Sequence, residues 1–144
     1  MREHKAEEYI TGAIIGLLLG VLFFHKLIFG AELSQEDKEL LVKTVHAEAG
    51  NQDIEGRRLV CAVILNRVES DVFPNTVEGV LSQERQFSTY KILGKTEPDI
   101  YDAMAVQMEL NERSNSEVMY FRTSRYGTGE PLFKHGDHYF SGQK

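Results

Sequence analysis

The sequence predicts an α+β domain that is mostly helical, with a small β element, preceded by an apolar N-terminal segment. Three observations lead to this fold class. Residues 9–24 carry no charge, residues 34–67 hold two stretches with helical start and stop signals, and short strand-like runs come late, at 118–121 and 137–140, on either side of a glycine-rich turn at 127–131. The chain has 144 residues, enough for one small domain and an extra segment. The helices must therefore pack on each other to form one core.

Residues 9–31 are expected to form a transmembrane signal-anchor behind a short cytoplasmic tail. Residues 9–24 are uncharged, and residues 27–31 extend the apolar stretch to about 20 residues, the length that crosses a bilayer. A cleaved secretory signal is the alternative. The tail holds acidic residues where a signal peptide is basic, and Phe29 stands where cleavage needs a small side chain, so the anchor is favoured.

Gly12, Gly16 and Gly20 recur at every fourth position of this span, which is the spacing of a close-packing face between membrane helices. The pattern predicts self-association through this face, although glycine is also common in membrane segments generally. Residues 32–144 are then expected to be an exported domain held at the outer side of the cell membrane. If the segment is cleaved, the same domain is secreted.

Two neighbouring helices are predicted to follow. Ser34 opens the first with a capping-box pattern, and Gly50 ends it. The second covers residues 54–67 and is apolar nearly all round over residues 59–65, so it is expected to be the central helix. The single cysteine, Cys61, lies inside this run and is expected to be a buried apolar side chain rather than a nucleophile.

The next elements are shorter. Asn75 is predicted to cap a short helix that ends near Ser82, and residues 83–94 are predicted to be a loop. Another helix is predicted to begin at residues 96–99, with its proline inside the first turn. One face of this helix is marked by Ile100, Met104, Met108 and Asn111, with Ala103 and Gln107 at its border.

Glu48 is the candidate that best joins this fold to a chemistry. It lies at the end of the first predicted helix, just before Gly50, and therefore at the boundary between a core and a cleft. Partial burial favours the protonated form of a carboxyl group, which can then donate a proton near neutral pH. Cleavage of a glycosidic bond requires an acid of this kind. Spacing alone does not separate Glu48 from the other acids nearby, because most glutamates are solvated surface charges.

Other chemistries find less support. A zinc site could combine His46, His135 and His138 with Glu48 as the base, but the sequence has no HExxH motif, so neither metal nor cofactor is expected. No serine lies in a GxSxG elbow. A net charge of −6 and the lack of a basic stripe argue against a nucleic-acid partner.

Two later segments contain the amide, hydroxyl and aromatic groups that often line sugar sites. They are Gln86-Phe87-Ser88 and Tyr120-Phe121. Each segment taken alone is as well explained by a polar loop or a half-buried strand.

Six segments, taken in order, resemble the SleB/CwlJ-type bacterial cell-wall hydrolases, a family that includes the spore cortex-lytic enzymes. They lie within residues 37–141 and read HAEAGNQDIEG, RRLVCAVILNRV, FPNTVEGVL, QFS, MYF and GDHYF. The resemblance implies a lysozyme-like fold related to lytic transglycosylases. It also implies a peptidoglycan glycan strand as the substrate.

The resemblance further implies roles for particular residues. Glu48 matches the catalytic glutamate of the family's A-E-A-x-G element. Positions that bind substrate or support the cleft are implied for Gln86, Phe87, Ser88, Tyr120, Gly136, His138 and Phe140. Two departures are that Asn51 stands where many members have a second glutamate and that the chain has no tryptophan. A preference for modified muramic acid therefore does not carry over.

The sequence is interpreted as a peptidoglycan-cleaving enzyme that acts between N-acetylmuramic acid and N-acetylglucosamine. The favoured mechanism is that of a lytic transglycosylase, with Glu48 as the single catalytic acid. A hydrolytic muramidase would need a second carboxylate, for which the candidates are Asp53, Glu55, Asp71 and Asp137. A non-catalytic, membrane-tethered glycan-binding protein is the remaining alternative.

Overall fold

A computed structural model describes residues 33–125, 127 and 130–143. The chain divides into two units, Met1–Ser34 and Gln35–Lys144, and the elements below belong to the second. They are the helices α1 Gln35–Ala49, α2 Ile54–Glu69, α3 Val77–Leu81 and α4 Ile100–Glu112, the 3₁₀-helix η1 Ser88–Lys95, and the strands β1 Tyr120–Arg122, β2 Phe133–His135 and β3 His138–Ser141. The mostly helical α+β class with a small sheet is confirmed.

The predicted membrane span at residues 9–31, with its Gly12/Gly16/Gly20 face, lies outside the described residues. Within the part of the chain that the structure describes, no helix has the length and apolar character needed to cross a membrane.

Helix α2 is the centre of the domain. Every residue from 56 to 67 is buried, and α2 contacts α1, α3, α4 and β1. Its apolar side chains pack against Val118, which precedes β1, and against Phe140 of β3, so the hydrophobic core extends to the sheet. Cys61 is fully buried, and this burial raises the pKa of its thiol far above the ordinary value. The predictions of a central helix and of an inert, buried cysteine are therefore confirmed.

Helix boundaries differ from the predictions in three places. Thr76, not Asn75, caps α3, and its Oγ1 accepts a hydrogen bond from the Gly79 amide at 3.0 Å. The predicted loop contains η1. Helix α4 begins after Asp99, whose side chain forms a capping box with Asp102, so the proline lies before the cap and not inside the first turn.

The face of α4 that the sequence marks is mostly exposed. Ile100 is 67% and Met104 44% exposed. The buried face instead carries Asp102, Ala105, Val106 and Glu109. The reason is that α2, the partner of α4, contributes buried arginines to this contact, and the two acids of α4 pair with them. Hydropathy assigns such acids to solvent, so it selects the wrong face.

The small sheet is antiparallel with the order β1-β3-β2. Strands β1 and β3 are the two predicted strands, each shifted toward the C-terminus by one or two residues, and β2 was not predicted. Gly136 and Asp137 join β2 to β3. Gly136 has a φ of +51°, which L side chains rarely adopt, and a Cβ there would lie 1.9 Å from Gln52 Oε1. The turn is therefore built for glycine and packs closely on the α1–α2 loop.

Gly136→Ala is expected to lower the free energy of unfolding by about 1–2 kcal/mol from the left-handed backbone alone. The new methyl group also displaces Gln52, whose Oε1 accepts a hydrogen bond from the Asp137 amide at 3.0 Å. Urea denaturation measures the change. Gly94→Ala is the matched control, since a Cβ there meets nothing within 4 Å. A Gly136→Ala variant as stable as the control would contradict the strain argument.

Candidate active site

Glu48 lies in the last turn of α1 and is half-buried. Its Oε1 accepts a short hydrogen bond from the Thr89 hydroxyl of η1. The Gly50 amide donates a hydrogen bond to His46 O at 2.8 Å, which ends α1 just after Glu48. A Cβ at Gly50 would lie 2.6 Å from the same oxygen, so this turn favours glycine. No arginine or lysine of the described residues forms an ion pair with Glu48. Thr89 was missed because residues 83–94 were predicted to be a loop, in which only residues 86–88 were considered for binding.

Arg57 fixes the loop that follows Glu48. Its guanidinium donates to Gly50 O at 2.5 Å and to Gln52 O at 3.1 Å. The same group bonds Asp102 at 2.7 Å and Asp99 at 2.6 Å. The hydrogen bond from Arg57 is the main cause that lowers the pKa of Asp99. Helix α4 is thus joined through one buried cation to the backbone beside the candidate acid.

The three histidines of the alternative zinc site each have a different environment. His46 Nδ1 lies 2.7 Å from the fully buried Asp102, and His135 Nε2 lies 2.7 Å from Asp53. His138 is buried at the start of β3. Among the described residues, the metal-ligating groups that approach within 4.8 Å of one another are those of His46, Asp99 and Asp102. Arg57 already supplies a positive charge at this cluster. The three histidines do not come together among the described residues, so the zinc arrangement considered and set aside above is not formed there.

The four candidates for a second carboxylate either bond to residues other than Glu48 or line a different part of the surface. Asp53 caps α2, and its pKa is lowered chiefly by the hydrogen bond from the Gly56 amide. Asp137 accepts hydrogen bonds from two side-chain amides of the α1–α2 loop. Glu55 lies 3.5 Å from Arg58. Asp71 lines an open cavity of ≈ 490 Å³ whose lining includes neither Glu48 nor any predicted substrate-binding residue. Among the described residues, no hydrogen bond or ion pair joins any of the four to Glu48.

Arg67 contacts three of the residues for which a role in binding or supporting the substrate was predicted. It is 3% exposed, and its Nη1 donates to Gln86 Oε1 at 2.9 Å while its Nε donates to Met119 O at 2.7 Å. Its Cζ lies 4.9 Å from the ring centroid of Tyr120 and 5.3 Å from that of Phe87. Burial lowers the pKa of Arg67 to about 10, so the group keeps its charge at neutral pH. From the sequence, Arg67 was recognisable only as the last residue of the predicted second helix.

The predicted substrate-binding residues differ in how far they are exposed. Ser88 and Gln86 are exposed and Tyr120 is half-buried. His138 is only 4% exposed, and its ring centroid lies 5.1 Å from that of Phe121 and 6.0 Å from that of the fully buried Phe140. Burial lowers the pKa of His138, which favours the neutral imidazole. This position suits support of the site better than direct contact with a substrate.

These features define a mostly helical domain in which the half-buried Glu48 is hydrogen-bonded to Thr89, next to the segment that carries Gln86 and Ser88. The family model described as Cell Wall Hydrolase matches residues 51–141, and the chain belongs to this cell wall hydrolase family. That match begins just after Glu48, so it leaves the role of Glu48 untested. The resemblance to SleB/CwlJ-type hydrolases is confirmed.

Particular relatives agree with this assignment. The chain is 46% identical over 55 residues to the spore cortex-lytic enzyme of Oceanobacillus iheyensis, which covers 38% of this chain and 20% of that protein. The Bacillus cereus spore cortex-lytic enzyme gives the same identity, with 21% of its length covered. The matched segment therefore spans about a fifth of each of these relatives.

Two solved structures extend the comparison to almost the whole domain. The catalytic domain of the Bacillus cereus SleB protein superposes with a TM-score of 0.68 at 30% identity, covering 77% of this chain and 93% of that one. The catalytic domain of the germination-specific lytic transglycosylase SleB from Bacillus anthracis gives 0.65 at 30% identity, covering 77% and 98%. The domain therefore has the fold of a SleB catalytic domain.

Proposed function

We propose that the protein cleaves peptidoglycan glycan strands between N-acetylmuramic acid and N-acetylglucosamine, as a lytic transglycosylase. The observation that carries this proposal is the state of Glu48. It is a half-buried carboxylate whose hydrogen bond, among the described residues, comes from the neutral Thr89 hydroxyl and not from a cation. A carboxyl group in this position is a candidate general acid and base. The name of the Bacillus anthracis relative supports the same reaction class.

The proposed mechanism uses one carboxylate in two roles. Thr89 holds Oε1 of Glu48, which leaves Oε2 to carry the proton. Protonated Glu48 donates to the glycosidic oxygen as the bond to the muramyl C1 breaks with oxocarbenium-like character. Ionised Glu48 then accepts the proton of the muramyl 6-hydroxyl, whose oxygen bonds C1 and closes an anhydro ring. No water is consumed, and no covalent enzyme intermediate forms.

Digestion of purified peptidoglycan by the full chain, kept in detergent, tests this proposal. Released fragments analysed by mass spectrometry are expected to carry anhydro ends, which are lighter than reducing ends by one water. Reducing ends would instead indicate a hydrolytic muramidase with a second carboxylate. Co-sedimentation with the wall and no release would indicate a glycan-binding protein without catalysis. Either result would overturn the proposed reaction.

We also propose that residues 9–31 stay on the mature protein and hold its domain at the outer face of the cell membrane, where the substrate lies. Fractionation is expected to find the protein in the membrane, and N-terminal sequencing to find residues 9–31 still attached. The matched comparison is a chain lacking residues 1–31, which is expected in the soluble fraction. A soluble exported form beginning near Glu32 would contradict the anchor and indicate a cleaved signal peptide. Self-association through Gly12, Gly16 and Gly20 belongs to the same proposal.

A further inference from the structure

One buried arginine organises the surface on which the proposed glycan would lie. Arg67 ends the buried stretch of α2, and Gln86, Phe87 and Tyr120 come from two other parts of the chain. All three contact its guanidinium, by a hydrogen bond or by a ring within 5.3 Å. A fourth contact, to Met119 O at 2.7 Å, fixes the guanidinium to the start of the sheet. Gln86 is thus an exposed side chain with a rigid, buried support.

The contact with Arg67 also determines which way the Gln86 amide faces. A guanidinium has hydrogen-bond donors and no acceptor, so the group bonded to Nη1 at 2.9 Å must be the amide oxygen. The amide nitrogen of Gln86 makes no hydrogen bond to any residue that the structure describes. Because the side chain is exposed, this nitrogen is a donor held in a fixed direction and open to a ligand.

We propose that Arg67 is a positioning residue that presents the Gln86 amide nitrogen to the carbonyl oxygen of an acetamido group in the glycan strand. This inference rests on the proposed function. An amide N–H finds its best neutral acceptor in an amide carbonyl, and both sugars of the strand carry one. The half-buried Tyr120 ring, on the same guanidinium, offers an apolar surface for the acetamido methyl group.

Binding to chemically altered strands tests the role of Gln86. The measurement uses Glu48→Gln proteins, so that binding is read without cleavage. Adding Gln86→Met, which keeps the length but removes both the amide N–H and the oxygen that accepts from Arg67, is expected to weaken binding of N-acetylated strands about 5- to 10-fold. On de-N-acetylated strands the two proteins are expected to bind within about twofold of each other, and re-acetylation is expected to restore the difference.

Gln107→Met is the matched control, because Gln107 is an exposed glutamine of α4 that bonds only Asn111 among the described residues. It is expected to leave binding to both kinds of strand unchanged. Equal effects of Gln86→Met on acetylated and de-N-acetylated strands would overturn the acetamido assignment. Wild-type cleavage of peptidoglycan is scored separately, so loss of the proposed function and loss of this inference give different results.

A double-mutant cycle tests whether Arg67 acts through Gln86. Arg67→Lys is expected to weaken binding of N-acetylated strands when Gln86 is present and to add nothing when Gln86 is already methionine. Additive effects would overturn the positioning role. If Arg67→Lys does not fold, the NMR resonance of the Gln86 side-chain amide in the Glu48→Gln protein tests whether this amide is fixed. The resonance is assigned by its loss in Gln86→Met. A resonance at the position of an unstructured glutamine would contradict a fixed amide.

Discussion

Glu48→Gln is expected to slow the release of soluble fragments from peptidoglycan by about 10²–10⁴-fold, the usual contribution of a general acid–base group. Glutamine keeps the shape of the side chain and can still accept the hydrogen bond from Thr89. It cannot donate a proton to the leaving oxygen or take one from the muramyl hydroxyl. The loss is therefore expected in the turnover rate, with strand binding retained.

Glu39→Gln is the matched control for this change. Glu39 is an exposed acid of the same helix, and its removal is expected to leave cleavage unchanged. Thermal unfolding of both variants checks that the fold is intact. A Glu48→Gln protein that cleaves at nearly the wild-type rate would show that Glu48 is not the acid, and the one-carboxylate mechanism would fail with it.

The parts of the fold that follow from local apolar patterning were predictable. Helix α2 is apolar nearly all round, and a helix of that kind has no stable place except a core. Gly50 and Asp53 mark the end of α1 and the start of α2 by backbone chemistry that needs no tertiary information. Strand β2 was not predictable in the same way, since its short Phe133–His135 run is mostly exposed and has no buried face to pattern.

The candidate site was only partly predictable, because its organising residues are buried charges. Glu48 was selected by resemblance, as spacing did not distinguish it from neighbouring acids. Arg57, Arg67 and Asp102 were not selected, since a sequence pattern assigns charged side chains to solvent. Their burial depends on partners that are about 20 to 50 positions away in the chain, such as Gln86 for Arg67 and Asp102 for Arg57. Only the folded chain brings these pairs together.

Asp102→Ala is expected to lower the free energy of unfolding by about 3–5 kcal/mol, the usual loss when one partner of a buried ion pair is removed. Asp102 is fully buried and accepts from Arg57 at 2.7 Å, from the Asp99 amide at 2.8 Å and from His46 at 2.7 Å. Its removal leaves the buried Arg57 with the half-exposed Asp99 as its remaining carboxylate. Because Arg57 also holds the loop after Glu48, cleavage is expected to fall even where the variant is folded.

Urea denaturation measures the stability change, and two variants give it a scale. Asp71→Ala removes an exposed carboxylate and is expected to change the free energy of unfolding by no more than about 0.5 kcal/mol. Asp102→Asn keeps an oxygen that can accept from Arg57. Its loss in the free energy of unfolding is expected to lie between those of Asp71→Ala and Asp102→Ala. An Asp102→Ala protein within about 1 kcal/mol of wild type would mean that Arg57 is adequately paired by Asp99 alone. The loop beside Glu48 would then be held by its own backbone turn, and the network from α4 would have no part in positioning the acid.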